Sequence, residues 1–222
     1  MVTTGYPRQK RTDIIDLKKA ENSCQQGDEF PILVSSATGG LVRENVPFIC
    51  GGYDNSGNAR KECYWLTDHG FENVINMTEP KFASSSVIQN QDLLVFGGRY
   101  SNYDHISSIE RVSVAKQSST VIGEMPFKFS YGCVLTYEEK KLIAIAGYQN
   151  GIRSDKTWTS SFDNLAKWTQ GPNLFKKRSS LGCAIFHHFK MAIVVGGYDG
   201  SSYSSTTELI QLNENKVVKG KK

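Results

Sequence analysis

Cysteine and histidine are the residues of this chain best suited to metal chemistry, and their spacing limits what they can do. The sequence has five cysteines and four histidines. A protein zinc site needs ligands at short, regular spacings such as Cys-x-x-Cys or His-x-His, and neither occurs. His187 and His188 lie in a predicted turn with no acidic residue nearby in sequence, and Cys183 stands at neither of these spacings. We therefore predict no metal site and no cofactor.

Four of the five cysteines form two pairs with different expectations, and Cys24 is left without a partner in this scheme. Cys133 and Cys183 are 50 residues apart in matching contexts, where Ser86 stands one repeat earlier. A position that accepts serine or cysteine favours a small buried side chain, so we expect unpaired buried thiols. Cys50 ends one predicted strand and Cys63 begins the next, and a hairpin could bring them within bridging distance. A disulfide and two free thiols both remain open here, and a disulfide would argue for a secreted protein.

Residues that could support catalysis lack the patterns that catalysis requires. A nucleophilic serine or cysteine needs a positioned base, and no Gly-x-Ser-x-Gly motif is present. No phosphate-binding Gly-x-x-x-x-Gly-Lys motif is present either. Asp54, Asp104, Asp155 and Asp199 recur in equivalent loops, but their glycine, serine and asparagine neighbours indicate turns. We predict that the protein is not an enzyme.

One triplet has the form of a modification site. Asn76-Met77-Thr78 matches the acceptor sequence for N-glycosylation, which is meaningful only in a secreted chain. Such triplets arise often by chance, and chance is the interpretation that the sequence alone favours.

The elements that position these residues repeat along the chain. Gly52, Gly98, Gly147 and Gly197 are 46, 49 and 50 residues apart, and each follows a short apolar run. A repeat near 50 residues with a glycine pair is typical of propeller arrays. Each unit also contains four short β-prone segments separated by polar turns, as expected for a four-stranded antiparallel blade. The sequence predicts an all-β fold.

The repeat resembles the kelch family. Its pattern is an apolar strand that ends in two glycines, then a tyrosine-containing strand and a tryptophan-containing strand. The matching positions are Gly51, Gly52, Gly97, Gly98, Gly147, Gly196, Gly197 and Trp168. The resemblance implies a kelch-type β-propeller with three complete and two partial blades. Its units are a partial blade at 1–30, blades at 31–79, 80–126 and 127–175, a partial blade at 176–214 and a basic tail at 215–222.

The resemblance also bears on completeness and on related enzymes. Kelch propellers usually close with more blades than this, so the resemblance implies that the chain is part of a larger propeller. A five-bladed ring is the alternative. Galactose oxidases are kelch-type copper enzymes that need converging tyrosine and histidine ligands. Tyr53, Tyr100, Tyr148 and Tyr198 recur, but at the packing position of the repeat and with no converging histidines.

Charge and hydropathy limit the partners. The net charge is +4 and the basic residues are scattered, which argues against nucleic acid as a partner. No apolar run approaches the ~20 residues that span a bilayer, so we predict no membrane association. The first ten residues lack the apolar core of a signal peptide, which slightly favours the cytoplasm and leaves secretion open.

One face of the predicted propeller is the candidate binding surface. In a four-stranded blade, the loops between strands two and three share a face with the links between blades. This face collects tyrosines and basic residues, the types that anchor protein interfaces and attract acidic peptides. The candidates are Tyr53, Arg60, Arg99, Tyr100, Tyr103, His105, Arg153, Tyr198, Asp199 and Tyr203, with Lys81, Lys128, Lys176, Lys177 and Arg178 in the links. We predict a non-catalytic protein-binding module; a secreted structural or carbohydrate-facing protein and a degenerate oxidase relative are the alternatives.

Overall fold

The fold consists of β-strands joined by turns. A computed structural model describes residues 2–3, 8, 10–15, 24–43, 45–101, 104–214 and 216–220. These residues form 24 strands and no helix, so the described part of the chain has no helix able to cross a bilayer.

The strands before residue 80 form a small N-terminal sheet, a two-stranded ribbon and a first four-stranded sheet. Sheet I has the order β5-β6-β8-β9, the ribbon pairs β4 with β7, and the N-terminal sheet has the order β1-β2-β3. The bounds are β1 Val2–Thr3, β2 Thr12–Ile15, β3 Cys24–Gln26, β4 Val34–Ser35, β5 Thr38–Val42, β6 Val46–Cys50, β7 Tyr53–Asp54, β8 Glu62–Thr67 and β9 Gly70–Asn76.

The rest of the chain forms three further four-stranded sheets. Sheet II has the order β10-β11-β12-β13, sheet III β15-β16-β19-β20 and sheet IV β21-β22-β23-β24, and a small sheet joins β14, β17 and β18. The bounds are β10 Ser85–Gln89, β11 Asp92–Phe96, β12 Ser108–Ser113, β13 Ser118–Glu124, β14 Phe129–Ser130, β15 Cys133–Tyr137, β16 Lys141–Ile145, β17 Tyr148–Gln149, β18 Ile152–Arg153, β19 Thr157–Ser161, β20 Asn164–Gln170, β21 Gly182–Phe186, β22 Met191–Val195, β23 Thr207–Gln211 and β24 Lys216–Lys219.

Apolar second strands explain how the sheets stack. The second strand of sheet II is buried from Leu93 to Phe96 because a neighbouring sheet covers each of its faces. One buried apolar cluster lies between sheets I and II, a second between II and III, and a third between III and IV. The first strands of successive sheets, β5, β10, β15 and β21, contact one another. These antiparallel sheets, stacked side by side, are consistent with a β-propeller-like fold.

The last unit differs from its sequence-based prediction. It was expected to stop without a fourth strand, with a basic tail from 215 onwards. Instead β24 pairs with β23 along four residues, and Val217 packs against the cluster between sheets III and IV. The lysines of "KVVK" did not prevent pairing, because β24 is an edge strand and charged residues are common there.

The glycine pairs lie where sheets meet. Gly98 has a φ of +116° and donates its N–H to the Phe129 carbonyl of the next unit at 2.7 Å. A β-carbon at Gly98 would come within 3.0 Å of the Phe82 carbonyl oxygen. Only glycine fits such a left-handed, crowded position without strain. Gly196 is roomier, with the nearest atom 3.5 Å from a β-carbon, and Ala146 occupies the equivalent position at a φ of +53°.

Four of the cysteines form two disulfides. Cys50 is bonded to Cys63 between adjacent strands of sheet I. Cys133 is bonded to Cys183, which joins β15 of sheet III to β21 of sheet IV. The expectation of unpaired thiols at 133 and 183 is therefore wrong. Equivalent positions of neighbouring repeats come into contact because the first strands of successive sheets lie side by side.

Candidate functional site

A cleft of about 640 Å³ opens beside the ends of the first strands. The loops between second and third strands and the links between sheets both reach it. Its lining is mostly aromatic rings and small side chains, and no carboxylate of the described residues takes part. The lining residues are Arg8, Ser35, Ser36, Ala37, Tyr53, Phe82, Ala83, Ser84, Tyr131, Gly132, Ser180, Leu181, Tyr198 and Tyr203.

A chain of backbone hydrogen bonds builds the floor of the cleft. Ser36, Ala83, Tyr131 and Ser180 each lie two residues before a first strand, and each has a φ between 51° and 56°. The Ala83 N–H donates to Ser36, Tyr131 to Ala83 and Ser180 to Tyr131, at 2.8–2.9 Å between nitrogen and oxygen. Left-handed backbone at non-glycine residues is uncommon and is kept only where the surroundings enforce it. These bonds tie the four units together at one rigid surface.

Two arginines stack on aromatic rings of the cleft at the side of sheets I and II. The guanidinium carbon of Arg8 lies 4.7 Å from the Tyr53 ring centroid. That of Arg99 lies 5.7 Å from both the Phe82 and the Tyr131 rings. Such cation–π contacts hold a guanidinium in place without neutralising it. The Arg99 Nε is buried and has no hydrogen-bond partner in the described structure.

A third arginine, Arg153, contacts the ring of Tyr198 from outside the cleft lining, as Arg99 does with its two rings. Arg153 lies 4.9 Å from the ring centroids of both Tyr148 and Tyr198. It donates to the Tyr148 hydroxyl at 2.6 Å and to the Ser179 hydroxyl at 3.0 Å. Within the described part of the chain, neither Arg153 nor Arg99 forms an ion pair. The described residues therefore supply no carboxylate that neutralises either charge.

Pairing register shows which residues are equivalent around the cleft. Tyr53, Tyr148 and Tyr198 each pair with the link that precedes their own sheet. In sheet II this place belongs to Arg99, which pairs with Phe82, and not to Tyr100. The sequence placed Tyr100 with the other tyrosines. Tyr100 is exposed and outside the cleft lining.

Other candidates on this face have different surroundings. Tyr203 is 87% exposed at the rim, with its ring centroid 5.2 Å from that of Tyr198. Tyr103 lies outside the described residues.

Two charged candidates form ion pairs or hydrogen bonds with groups close to them in sequence. Arg60 makes ion pairs with Asp54 at 3.2 Å and Glu62 at 2.6 Å. Partial burial acts to lower the pKa of Arg60, but the hydrogen bonds and charges of these carboxylates outweigh it and raise that pKa. Asp199 accepts hydrogen bonds from the Ser202 and Ser201 N–H groups, which lower its pKa. Both side chains stabilise turns.

His105 is buried against a serine. Its Nδ1 lies 2.7 Å from the Ser130 hydroxyl oxygen, and Ser130 is completely buried. Burial lowers the pKa of His105, the charges of Arg99 and Lys128 lower it further, and Asp104 opposes them. Neither His105 nor Ser130 lines the cleft. The sequence placed His105 in a loop of the candidate binding face and gave no signal of this contact.

Two of the basic link residues are not on the surface at all. Lys81 is fully buried beside Glu110, with 2.8 Å between Nζ and Oε2, and Arg178 is fully buried beside Glu208. Their assignment to a surface for acidic peptides is wrong, because each is neutralised by a carboxylate from the third strand of its own sheet. Lys128, Lys176 and Lys177 are exposed.

Of the residues that line the cleft, the sequence predicted only Tyr53, Tyr198 and Tyr203. The charged or aromatic ones that it missed are Arg8, Phe82 and Tyr131. Phe82 and Tyr131 immediately precede first strands, and their repeat position could have revealed them. Arg8 directly follows the N-terminal stretch "TTGYP", a degenerate fifth copy of the glycine pattern, but the sequence did not identify it as a binding residue.

The described residues contain no group of three or more histidine, cysteine, aspartate or glutamate side chains placed to hold a metal ion.

Comparison with known proteins gives a likeness in structure alone. No protein-family model matches the sequence, and no curated protein matches it either. Among solved structures 202 chains match. One, described as "Structure of YjhT", has 15% sequence identity and a TM-score of 0.73. The match covers 94% of this chain and 84% of that one. At this identity the likeness shows the all-β, propeller-like fold and nothing about function.

Proposed function

We propose that this protein is a kelch-type propeller that acts as a non-catalytic binding module and holds an acidic segment of a protein partner in the cleft. The kelch assignment is supported by the glycine pairs, which bond to the next unit at equivalent positions, and by the buried Trp168. The observation that carries the function is the lining of the cleft. Arg8 lines it and stacks on Tyr53. Arg99 and Arg153 stack on its rings from outside the lining, and no described carboxylate lines it.

The arginines have unused capacity for an anion. A guanidinium has five N–H donors, and Arg153 gives two hydrogen bonds to the protein. The buried Nε of Arg99 has no acceptor among the described residues. Leaving such a donor unpaired costs about 1–3 kcal/mol, and a ligand carboxylate would recover this only if the Arg99 side chain shifted to expose its Nε. Held in place by aromatic rings, the arginines lose little side-chain entropy on binding.

The arrangement supports binding rather than nucleophilic chemistry. Nucleophilic catalysis needs a serine that reaches the substrate and a base held by a third group. Ser130 is completely buried, and the described structure gives the His105 ring no carboxylate hydrogen bond. Asp104, the nearest acidic residue in sequence, bonds to the Ser101 hydroxyl instead.

Selection from a phage library of random linear peptides tests the proposal. We expect peptides selected on the wild-type protein to be enriched in aspartate and glutamate. Capture of these phage should fall on Arg99→Gln and Arg153→Gln proteins. Lys140→Gln is the matched control, because it removes one exposed positive charge from the turn between β15 and β16. Neutral or basic selected peptides, or equal losses with Lys140→Gln, would contradict the proposal.

A carbohydrate ligand is the second candidate, because the cleft presents tyrosine rings beside serine hydroxyls. Aromatic faces and hydroxyl groups both suit a sugar ring. An array of immobilised glycans separates the two candidates. Binding to glycans without selection of any peptide would favour the carbohydrate.

A further inference from the structure

Two features of the chain remain outside the proposed binding function. One is the pair of disulfides, and the other is the glycosylation triplet at Asn76. Each is independent of the cleft, and together they concern the compartment in which the chain folds.

One disulfide lies inside a sheet, and the other lies where two sheets meet, with Cys183 partly exposed. Cys50 and Cys63 are completely buried between strands of sheet I, and Cys133 is buried where sheets III and IV meet. Sulfurs enclosed in this way are bonded as the sheets assemble. Forming the two bonds removes four electrons and four protons from four thiols, which a thiol–disulfide oxidant must accept. Such oxidants act in the endoplasmic reticulum and the periplasm, and stable disulfides are rare in the cytosol.

Asn76 is placed where a glycosylating enzyme could reach it. It is the last residue of β9, the outermost strand of sheet I, and it is exposed. The triplet is completed by Thr78, whose hydroxyl donates to the Ser119 carbonyl of β13 at 3.3 Å in the folded chain. Asn76 is not part of the cleft lining. A glycan there would extend into solvent from the outer edge of the sheet and would leave the cleft open.

We propose that this chain folds in an oxidising secretory compartment and that Asn76 is its N-glycan acceptor. The sugar comes from a lipid-linked oligosaccharide pyrophosphate. A bond forms between the Asn76 side-chain nitrogen and the first sugar carbon, the bond from that carbon to the pyrophosphate oxygen breaks, and the amide proton leaves with the lipid pyrophosphate. The slight preference of the sequence for the cytoplasm is reversed by this proposal, because buried disulfides outweigh the composition of the first ten residues.

Peptide mapping of the protein from the cells that make it is the direct test. Enzymatic release of an N-glycan converts the modified asparagine to aspartate, so Asn76 should read as aspartate after release. Without reductant, the maps should contain the linked Cys50–Cys63 and Cys133–Cys183 peptides. Unmodified Asn76, or free thiols at these four positions, would overturn the proposal.

Secretion of the full chain from insect cells behind an added signal peptide gives matched variants. Asn76→Gln and Thr78→Val should each lose the gel shift that glycan release produces, whereas Thr78→Ser should retain it. Resistance to trypsin shows that each secreted variant is folded. A folded, secreted wild-type chain without the shift would contradict the proposal, as would a shift that survives Asn76→Gln.

Discussion

The buried ion pair of sheet II makes a sharp prediction about stability. The Lys81 and Glu110 side chains are both fully buried. Glu110 also accepts hydrogen bonds from the Thr78 N–H and, at 2.7 Å, from the Ser119 hydroxyl. Lys81 has a second carboxylate, Glu79, at 3.1 Å, but that side chain is 41% exposed. Removal of one partner therefore leaves a charge in the core with incomplete compensation.

The expected loss of unfolding free energy differs between replacing Lys81 and replacing Glu110. Breaking a buried pair typically costs about 3–5 kcal/mol. Lys81→Met leaves the Glu110 carboxylate with two hydrogen bonds but no counter-charge, so we expect a loss of about 3 kcal/mol, at the lower end of this range. Glu110→Gln leaves Lys81 with the half-exposed Glu79, so we expect a smaller loss of about 1–2 kcal/mol.

The double variant separates charge compensation from shape. Lys81→Met with Glu110→Gln keeps both side-chain volumes and leaves an amide oxygen to accept the same hydrogen bonds, so we expect it within about 1 kcal/mol of the wild type. The coupling energy between the two positions should therefore exceed about 2 kcal/mol. Sheet III shows that the fold accepts an uncharged pair, because Phe129 and Trp158 hold the equivalent positions.

Urea unfolding followed by tryptophan fluorescence measures these differences, since the chain has three tryptophans. The disulfides are kept intact throughout. Additive losses in the double variant would refute the role of charge compensation, and single variants as stable as the wild type would refute the burial of the pair.

Three further predictions concern the glycine pairs, His105 and the disulfide between sheets III and IV. Gly98→Val should lower the unfolding free energy by about 1–3 kcal/mol through backbone strain, whereas Gly196→Ala should cost about 1 kcal/mol; equal losses in urea unfolding would contradict the packing difference. Burial lowers the pKa of His105, so the folded state takes up a proton less readily than the unfolded state, and stability should be fully present above about pH 6.5 and fall below it. His105→Gln should flatten this part of the curve of melting temperature against pH, and an unchanged curve would exclude His105 as its source. Replacing Cys133 and Cys183 together by serine removes a cross-link between residues 50 apart, with an expected loss of roughly 2–4 kcal/mol in urea unfolding; no loss would mean that the bond is not formed.

The sequence was most informative where the repeat determines local structure. The spacing of Gly52, Gly98, Gly147 and Gly197 predicted antiparallel four-stranded units, and the all-β fold is confirmed. The prediction succeeded because each sheet packs against its neighbour in the same way and uses the same residue types at the contact.

The sequence was least informative where contacts join different units. Cys133 and Cys183 meet because first strands lie side by side, which no local pattern shows. Lysine and arginine are usually surface residues, so the burial of Lys81 and Arg178 could be predicted only by matching them to Glu110 and the equivalent Glu208. The cleft could not be predicted for the same reason, because its arginines stack on aromatic rings that are distant from them in sequence.

The central claim is that the cleft binds an acidic segment through its arginines. Fluorescence anisotropy of one selected, labelled acidic peptide, titrated with wild-type and Arg99→Gln/Arg153→Gln protein at fixed salt, tests it most directly. Each charged hydrogen bond contributes about 1.5–3 kcal/mol, so we predict that the double variant raises Kd by a factor of roughly 100 or more. It should still unfold cooperatively in urea, at a lower midpoint because the Arg153 bonds to Tyr148 and Ser179 are lost. The same peptide with its aspartates and glutamates replaced by asparagine and glutamine should bind both proteins weakly and equally. An unchanged Kd for the acidic peptide in the folded double variant would contradict the account.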